Sequence, residues 1–243
     1  MGERKLKKAP GIIPAVDVPL GKAVLLLNEL KELKDEITAA KLGYKASDDV
    51  GKLVAKTVLR DHAGIDLPFI LDYQKACTDV PHVIENQVRD WASYDMFDAI
   101  IGDPLGAGSH REKKGALEAF VETCYECNVI PIVVIEKTSP GATKYSSLEK
   151  CEELARDARD LGVNYVVAPA TRPERIEVYK RIGDFEVISP GVGPQKTGNV
   201  IEDAKNAVRH GADHLVIGRG IFNAANPKEM TKKIYEALLE AYG

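Results

Sequence analysis

The sequence predicts a single (β/α)8 barrel, the TIM-barrel architecture, from three observations. Its 243 residues match the size of one such barrel, so we expect residues 1–243 to form a single domain. Short apolar runs alternate with amphipathic helical stretches along the whole chain, and no Pro/Ser-rich linker divides it. There are eight such strand–helix repeats, the number that closes a barrel, whereas an open doubly wound sheet more usually has six strands.

The predicted strands are continuous apolar runs, which are typical of strands buried on both faces of a parallel sheet. In chain order they are Ile12–Val18, Thr38–Tyr44, Pro68–Gln74, Ala99–Asp103, Ile130–Glu136, Tyr165–Pro169, Glu186–Gly191 and His214–Gly218.

Apolar stripes at helical spacing lie between these strands, and we interpret them as packing surfaces against the barrel. They are Leu26/Leu30/Leu33, Ile84/Val88/Trp91, Leu148/Cys151/Ala155/Ala158 and Met230/Ile234/Leu238. Pro173 and Pro227 fall where a helix should start, because the first helical turn does not need the N–H that proline lacks.

Composition and charge exclude several classes of protein. The chain is 44% hydrophobic and 29% charged, which supports a sizeable core and argues against disorder. A net charge of −4 argues against nucleic acid as a partner. No apolar stretch is long enough to span a membrane, so we expect no membrane partner. We expect residues 1–10 to form a flexible, solvated N-terminal tail, because no apolar run follows the basic start to make a signal peptide.

The cysteines predict neither a metal site nor a disulfide framework. Cys124 and Cys127 form a CxxC pair without the second pair that a zinc site requires. Leu117, Phe120 and Val121 share one helical face with Cys124, so we interpret Cys124 as a core thiol. Reduced cysteines and the missing signal predict a cytoplasmic protein.

The loops after the last two predicted strands have the composition of a phosphate site. In barrels of this class the loops after strands seven and eight recurrently bind phosphate, and glycines let backbone N–H groups approach its oxygens. Arg219 and Gln195 add side-chain donors. The alternative is that the glycines only shape tight turns. The predicted substrate-binding residues here are Pro190, Gly191, Val192, Gly193, Gln195, Gly218 and Arg219.

The first three predicted strands end in charged residues. Asp17 closes strand one, Lys41 lies on strand two, and Asp72, Lys75 and Asp79 follow one another from strand three. Charges at the ends of apolar strands must be paired or hydrated, because an unpaired buried charge costs several kcal/mol. The pattern predicts an electrostatic array at the mouth of the barrel. The alternative is an ion-pair network that only holds the barrel together.

These segments resemble the orotidine 5′-phosphate decarboxylase family, from Asp17 to about Pro227. The segments are Lys41-Leu42-Gly43, the Asp72…Lys75…Asp79-Val80-Pro81 cluster, Thr138-Ser139-Pro140-Gly141, Ala170–Arg175, and the two glycine-containing loops after strands seven and eight.

The resemblance implies decarboxylation of orotidine 5′-phosphate to UMP, a step of pyrimidine nucleotide synthesis, with no cofactor. It implies that Lys75 donates a proton to the C6 carbanion and that Asp72 lies against the departing carboxylate. Lys41 would hold Asp72 and the ribose, and Asp17 the ribose hydroxyls. Asp79 would act across the interface of a homodimer.

The resemblance also assigns the two ends of the substrate. Thr138 or Ser139 would hydrogen-bond the pyrimidine, while Gln195, Gly218 and Arg219 would hold the phosphate.

The reactive segment departs from the family's Asp-x-Lys-x-x-Asp spacing, because here it is Asp72-x-x-Lys75-x-x-x-Asp79. On a regular strand Asp72 and Gln74 share a face and Lys75 points to the other. For Lys75 to join Asp72, the strand must bulge or have become loop.

Two other functions compete with this one. A magnesium-dependent relative, of the hexulose-phosphate synthase or ketogulonate-phosphate decarboxylase type, would carry a glutamate on strand two, where Lys41 would repel the ion. A catalytically inactive barrel that binds a nucleotide monophosphate would also fit the altered spacing.

Overall fold

A computed structural model describes residues 6–7, 9–47, 51–72, 77–109 and 113–242. They form a closed barrel of eight parallel strands in chain order, in which β8 pairs with β1. The single (β/α)8 barrel predicted from the sequence is therefore confirmed, and the open doubly wound sheet is excluded.

The strands are short and lie where the apolar runs predicted them. Every strand except β1 falls inside its predicted segment, and β1 begins one residue early. Their bounds are β1 Gly11–Val16, β2 Ala40–Leu42, β3 Phe69–Asp72, β4 Ala99–Gly102, β5 Ile130–Val134, β6 Tyr165–Val167, β7 Glu186–Pro190 and β8 His214–Ile217. The predicted strands other than β3 extend too far at their C-terminal ends, since the chain there turns into the loops that line the mouth, and the predicted end of β3 lies outside the described residues.

Helices surround the barrel and connect successive strands. Their bounds are α1 Leu20–Leu30, α2 Tyr44–Ser47, α3 Lys52–Lys56, α4 Pro81–Ser93, α5 Ala116–Glu126, α6 Ala142–Tyr145, α7 Leu148–Asp160, α8 Pro173–Ile182, α9 Val200–Arg209, α10 Arg219–Phe222 and α11 Pro227–Tyr242. A π-helical turn, Thr57–His62, continues α3. Pro173 and Pro227 begin α8 and α11, as predicted. Across the described ranges, none of these helices has the length and apolarity needed to cross a membrane.

The apolar core has two layers because successive strand residues point to opposite faces of the sheet. Ile13, Ile70 and Ile132 belong to the cluster that fills the barrel. The outer cluster joins the sheet to the helices and includes the predicted stripe residues Leu30 and Trp91. The barrel is therefore a packed core, and any site must lie at one of its ends.

The end of the barrel opposite the C-terminal ends of the strands is closed by apolar and polar contacts. Leu6 is only 6% exposed and belongs to the inner cluster, so the solvated tail expected over residues 1–10 is wrong at this residue. His214, fully buried, is joined to Thr38 (Nδ1 to Oγ1, 3.0 Å) and to Glu186 (Nε2 to Oε2, 2.7 Å). These contacts connect β8 to β7 and to the chain before β2.

Candidate active site

A cavity of ≈ 460 Å³ opens at the C-terminal ends of the strands. Barrel enzymes carry their reactive groups at this end, because the loops after all eight strands meet here and are free to vary. The predicted site residues that line the cavity are Asp17, Lys41, Asp72, Thr138, Ser139, Pro190, Gly191, Val192, Gln195, Gly218 and Arg219.

Lys41 and Asp72 form an ion pair in the wall of this cavity. β2 and β3 are adjacent parallel strands, and their register sets Lys41 beside Ile70, two residues before Asp72. The Lys41 Nζ donates to Asp72 Oδ2, and both side chains are nearly buried. Asp72 Oδ1 is buried and has no hydrogen-bond donor among the residues that the structure describes. The structure thus fixes a cation and a carboxylate side by side at the mouth.

Asp17 lies next to this pair, just past the end of β1. Gly43, which follows β2, leaves space for its carboxylate, because a Cβ at this position would come within 2.6 Å of Asp17 Oδ1. Asp17 itself is exposed and faces the cavity. Its carboxylate is therefore available to a ligand.

The segment after β3 is described only in part. Lys75 lies outside the described residues, so its position relative to Asp72 stays a prediction. Asp79 is described: it is exposed, and its Oδ1 accepts a hydrogen bond from the Val80 N–H at 2.7 Å. Asp79 does not line the cavity of its own chain, and its role across a dimer interface stays a prediction.

The loop after β7 depends on a glycine that no other residue could replace without strain. Gly191 has a φ of +103°, a conformation that side chains disfavour. A Cβ there would also lie 2.9 Å from Thr171 Cγ2 and 3.1 Å from Thr138 Cγ2. Gly191 therefore lets the loops after β5, β6 and β7 meet at the cavity.

A buried carboxylate on α9 holds the rest of this loop. Asp203 is 2% exposed; its Oδ2 accepts from the N–H groups of Gly193 (2.9 Å) and Thr197 (3.2 Å). Its Oδ1 accepts from the Thr197 hydroxyl at 2.8 Å. Gly193 was predicted to bind substrate, but it lies outside the cavity lining and its N–H is already used by Asp203.

The loop after β8 completes this side of the cavity. Gly218 and Arg219 line it, and Arg219 begins the four-residue helix α10. Gly220 allows close packing of α10 on α9, since a Cβ there would lie 2.8 Å from Val200 Cγ2. Arg219 and Gln195 thus face one cavity from adjacent loops, as an anion site requires.

One ion pair of the mouth was not predicted from the sequence. Asp103 follows β4 and Lys137 follows β5, and the two side chains form an ion pair. Lys137 lines the cavity, whereas the Asp103 side chain is almost fully buried. The signal that revealed Lys41 and Asp72, a charge at the end of an apolar strand, was present at both positions.

Buried polar contacts join the segment after β5 to the segment after β6. Glu136 is 1% exposed and accepts hydrogen bonds from Arg172 Nε at 2.8 Å and from the Tyr179 hydroxyl at 2.6 Å. Burial, and then the hydrogen bond to Glu136, raise the pKa of Tyr179 well above its usual value. The Arg172 guanidinium also donates to the carbonyl of Lys137. The backbone that carries Lys137 and Thr138 is therefore held in place.

The cysteines lie in the core rather than at the cavity. Cys124 is fully buried in α5, as predicted, and its burial raises the pKa of its thiol. Cys77 is also buried, and its pKa is raised by burial first and then by the charges of neighbours that include Asp103. Within the described part of the chain, no group of three or more His, Cys, Asp or Glu side chains could hold a metal ion.

Comparison with known sequences agrees with this geometry. The family model described as "Orotidine 5′-phosphate decarboxylase / HUMPS family" matches residues 10–234. An orotidine 5′-phosphate decarboxylase from Pyrococcus horikoshii is 37% identical over 235 residues, which cover 93% of this chain and 98% of that protein. One from Methanocaldococcus jannaschii is 31% identical over 212 residues, covering 87% of this chain and 92% of that protein.

Solved structures give the same result. Orotidine 5′-monophosphate decarboxylase from M. jannaschii, complexed with the inhibitor BMP, has a TM-score of 0.77 at 26% identity and covers 96% of this chain and 99% of its own. The P. horikoshii enzyme has a TM-score of 0.74 at 26% identity, covering 94% and 99%. Since the family model matches most of its length, this chain belongs to the orotidine 5′-phosphate decarboxylase / HUMPS family.

Proposed function

We propose that this protein is a cytoplasmic enzyme that decarboxylates orotidine 5′-phosphate to UMP without a cofactor. The observation that carries the proposal is one cavity with two chemically different ends. The fixed Lys41–Asp72 pair lies at β2 and β3, and Gln195 and Arg219 lie in the loops after β7 and β8. A nucleotide monophosphate has a matching layout, with an anion at one end and the reacting base at the other.

We assign the phosphate to the loops after β7 and β8. Arg219 supplies a charge-assisted contact, and Gln195 supplies a neutral donor. Gly191 and Gly218 let the backbone N–H groups near them come close to the phosphate oxygens. Remote binding energy of this kind can hold the reacting base in position, so the phosphate contributes to catalysis as well as to affinity.

The reaction breaks the bond between C6 of the pyrimidine and its carboxylate carbon. The electron pair stays on C6, carbon dioxide leaves, and the ammonium of Lys75 transfers a proton to C6 to give UMP. We assign the largest contribution to electrostatic stabilisation of the carbanion by Lys75. Repulsion between Asp72 and the substrate carboxylate adds ground-state destabilisation.

The remaining predicted residues orient the nucleoside. Lys41, held by Asp72, and Asp17, exposed beside it, suit the ribose hydroxyls, because an ammonium donates and a carboxylate accepts. Thr138 and Ser139 lie across the cavity after β5 and offer hydroxyls to the pyrimidine.

We also propose that the enzyme is a homodimer in which Asp79 completes the partner's site. Large apolar side chains that are exposed on this chain support an interface near the segments that follow β2 and β3. They are Tyr44, Leu53, Val54 and Val80, each about half exposed or more. Asp79 directly precedes Val80, so it would lie within such an interface.

The deciding experiment follows the absorbance of orotidine 5′-phosphate as purified protein is added, with and without EDTA. Turnover that EDTA does not affect is the expected result. Turnover that is lost in EDTA and restored by Mg²⁺ would identify the metal-dependent relative instead. Absence of turnover, with UMP still raising the melting temperature, would identify a binding protein.

A further inference from the structure

We propose that Lys137 is a further substrate-binding residue of this site, whose ammonium stabilises negative charge on the pyrimidine. The inference rests on the proposed function and extends it to a residue that follows β5. It has three supports: the position of Lys137 in the cavity, the burial of its partner Asp103, and its place beside the residues assigned to the pyrimidine.

Lys137 is the exposed member of its ion pair. Its side chain is 47% exposed and lines the cavity, whereas the Asp103 side chain is 5% exposed. β4 and β5 are paired with Gly102 beside Val133, so both residues lie just beyond the same end of the sheet. The pair therefore presents its positive end to the cavity and its negative end to the protein.

Asp103 anchors this ammonium. A buried carboxylate requires a cation or hydrogen bonds, and Asp103 Oδ1 has no donor among the described residues. Among the described residues, the contact with Lys137 is thus its main compensation. An ammonium has three N–H donors, so one can serve Asp103 while the others remain available to a ligand. The hydrogen bond from Arg172 to the Lys137 carbonyl fixes the backbone as well.

The neighbours of Lys137 place it at the base end of the cavity. The phosphate loops follow β7 and β8, whereas Lys137 follows β5 and its partner Asp103 follows β4. Thr138, which we assign to the pyrimidine, is the next residue in the chain. The pyrimidine would then lie between the Lys41–Asp72 pair and the Lys137–Asp103 pair. A fixed cation beside the ring stabilises charge that develops on C6 or on the ring oxygens.

The test measures binding of UMP and of 6-hydroxy-UMP, whose base is anionic, to wild type and to Lys137→Met. Loss of one charge-assisted hydrogen bond should weaken 6-hydroxy-UMP by about 10-fold or more and UMP by much less, with a matching fall in kcat/KM. Lys137→Arg should restore most of the difference. Asp103→Asn keeps the Lys137 ammonium but holds it less firmly, so this variant should lose less affinity for 6-hydroxy-UMP than Lys137→Met.

Lys114→Met is the matched control. Lys114 has a similar exposure and pairs with Glu85 (2.8 Å) and Glu122 (2.9 Å), but it does not line the cavity. The Lys114→Met variant should bind UMP and 6-hydroxy-UMP as tightly as wild type does. Equal weakening of both ligands by Lys137→Met, or no weakening at an unchanged melting temperature, would overturn the inference. Wild-type protein that neither turns over substrate nor binds UMP would overturn the proposed function with it.

Discussion

At the scale of single residues, the mouth is organised by carboxylates that each hold a cation. Asp72 holds Lys41, and Asp103 holds Lys137. The first pair could be predicted, because charges interrupt apolar strands that neighbour each other in the chain. The second pair also joins consecutive strands, β4 and β5, and its charges likewise follow apolar runs, so the same signal could have predicted it. The place of Lys75 could not be fixed either, since the spacing permits a bulge or a loop.

The proposed proton donor gives the sharpest prediction at this scale. Lys75→Ala should abolish turnover of orotidine 5′-phosphate, because alanine cannot supply the proton or the positive charge beside the carbanion. UMP should still bind, because its phosphate contacts are assigned to other loops. Turnover is followed by absorbance and binding by calorimetry.

Lys232→Ala, on the exposed face of α11, is the control for loss of a lysine and should remain fully active. Unchanged turnover in Lys75→Ala would remove Lys75 from the mechanism and would make Lys137 the first alternative ammonium to test.

At the scale of elements, the loop after β7 is shaped by the helix that follows it. The glycines of this loop were predicted from the sequence as phosphate contacts or as turn formers. The structure separates the two glycines, since Gly191 lines the cavity while the Gly193 N–H donates to Asp203. Asp203 could not be recognised in advance, because an acidic residue in a first helical turn is ordinarily a solvated partner of the helix dipole. Its burial follows from the packing of α9 against the barrel.

Asp203→Asn should loosen this loop. The amide oxygen can still accept from the N–H groups of Gly193 and Thr197, but these charge-assisted hydrogen bonds become weaker neutral ones, and the NH2 group replaces the acceptor of the Thr197 hydroxyl. Weakening or losing a buried hydrogen bond costs about 1–3 kcal/mol, so we expect a lower urea midpoint and an affinity for UMP reduced by about 10-fold.

Glu202→Gln changes the same charge at the preceding, exposed position of α9 and should alter neither quantity. If UMP affinity in Asp203→Asn equals that of wild type, the phosphate does not depend on the loop after β7.

At the scale of the whole molecule, the barrel was predictable because the pattern repeats eight times along the chain. Each strand could be placed from its apolar run, and the helical stripes gave the outer layer. The ends of the strands were less certain: Tyr44 begins α2 although the apolar run continues through it. Gly43, just before this turn, makes room for Asp17, and this contact with the segment after β1 is not visible in the local sequence.

The reactivity of the cysteines measures how completely the core is closed. In the native protein at about pH 8, iodoacetamide should modify Cys127 first, because it is the one partly exposed cysteine among the four. Cys77, Cys124 and Cys151 should be protected, since burial excludes the reagent and raises the pKa of each thiol, which leaves little reactive thiolate. Peptide mass spectrometry identifies the modified residue.

Protein unfolded in urea provides the comparison, and there all four cysteines should react alike. Native Cys124 that reacts as fast as Cys127 would mean that α5 opens from the barrel on the timescale of labelling.

The pairing of β8 with β1 has a consequence for biosynthesis. Gly11 lies beside His214, so β1 can pair with β8 only after one of the last segments of the chain has left the ribosome. Until then the nascent sheet has two open edges, which can pair with other chains. Contacts between residues so far apart in sequence also form slowly. A ribosome-bound intermediate that lacks β8 should therefore be a target for chaperones, and loss of the C-terminal repeat should cause aggregation rather than a smaller stable barrel.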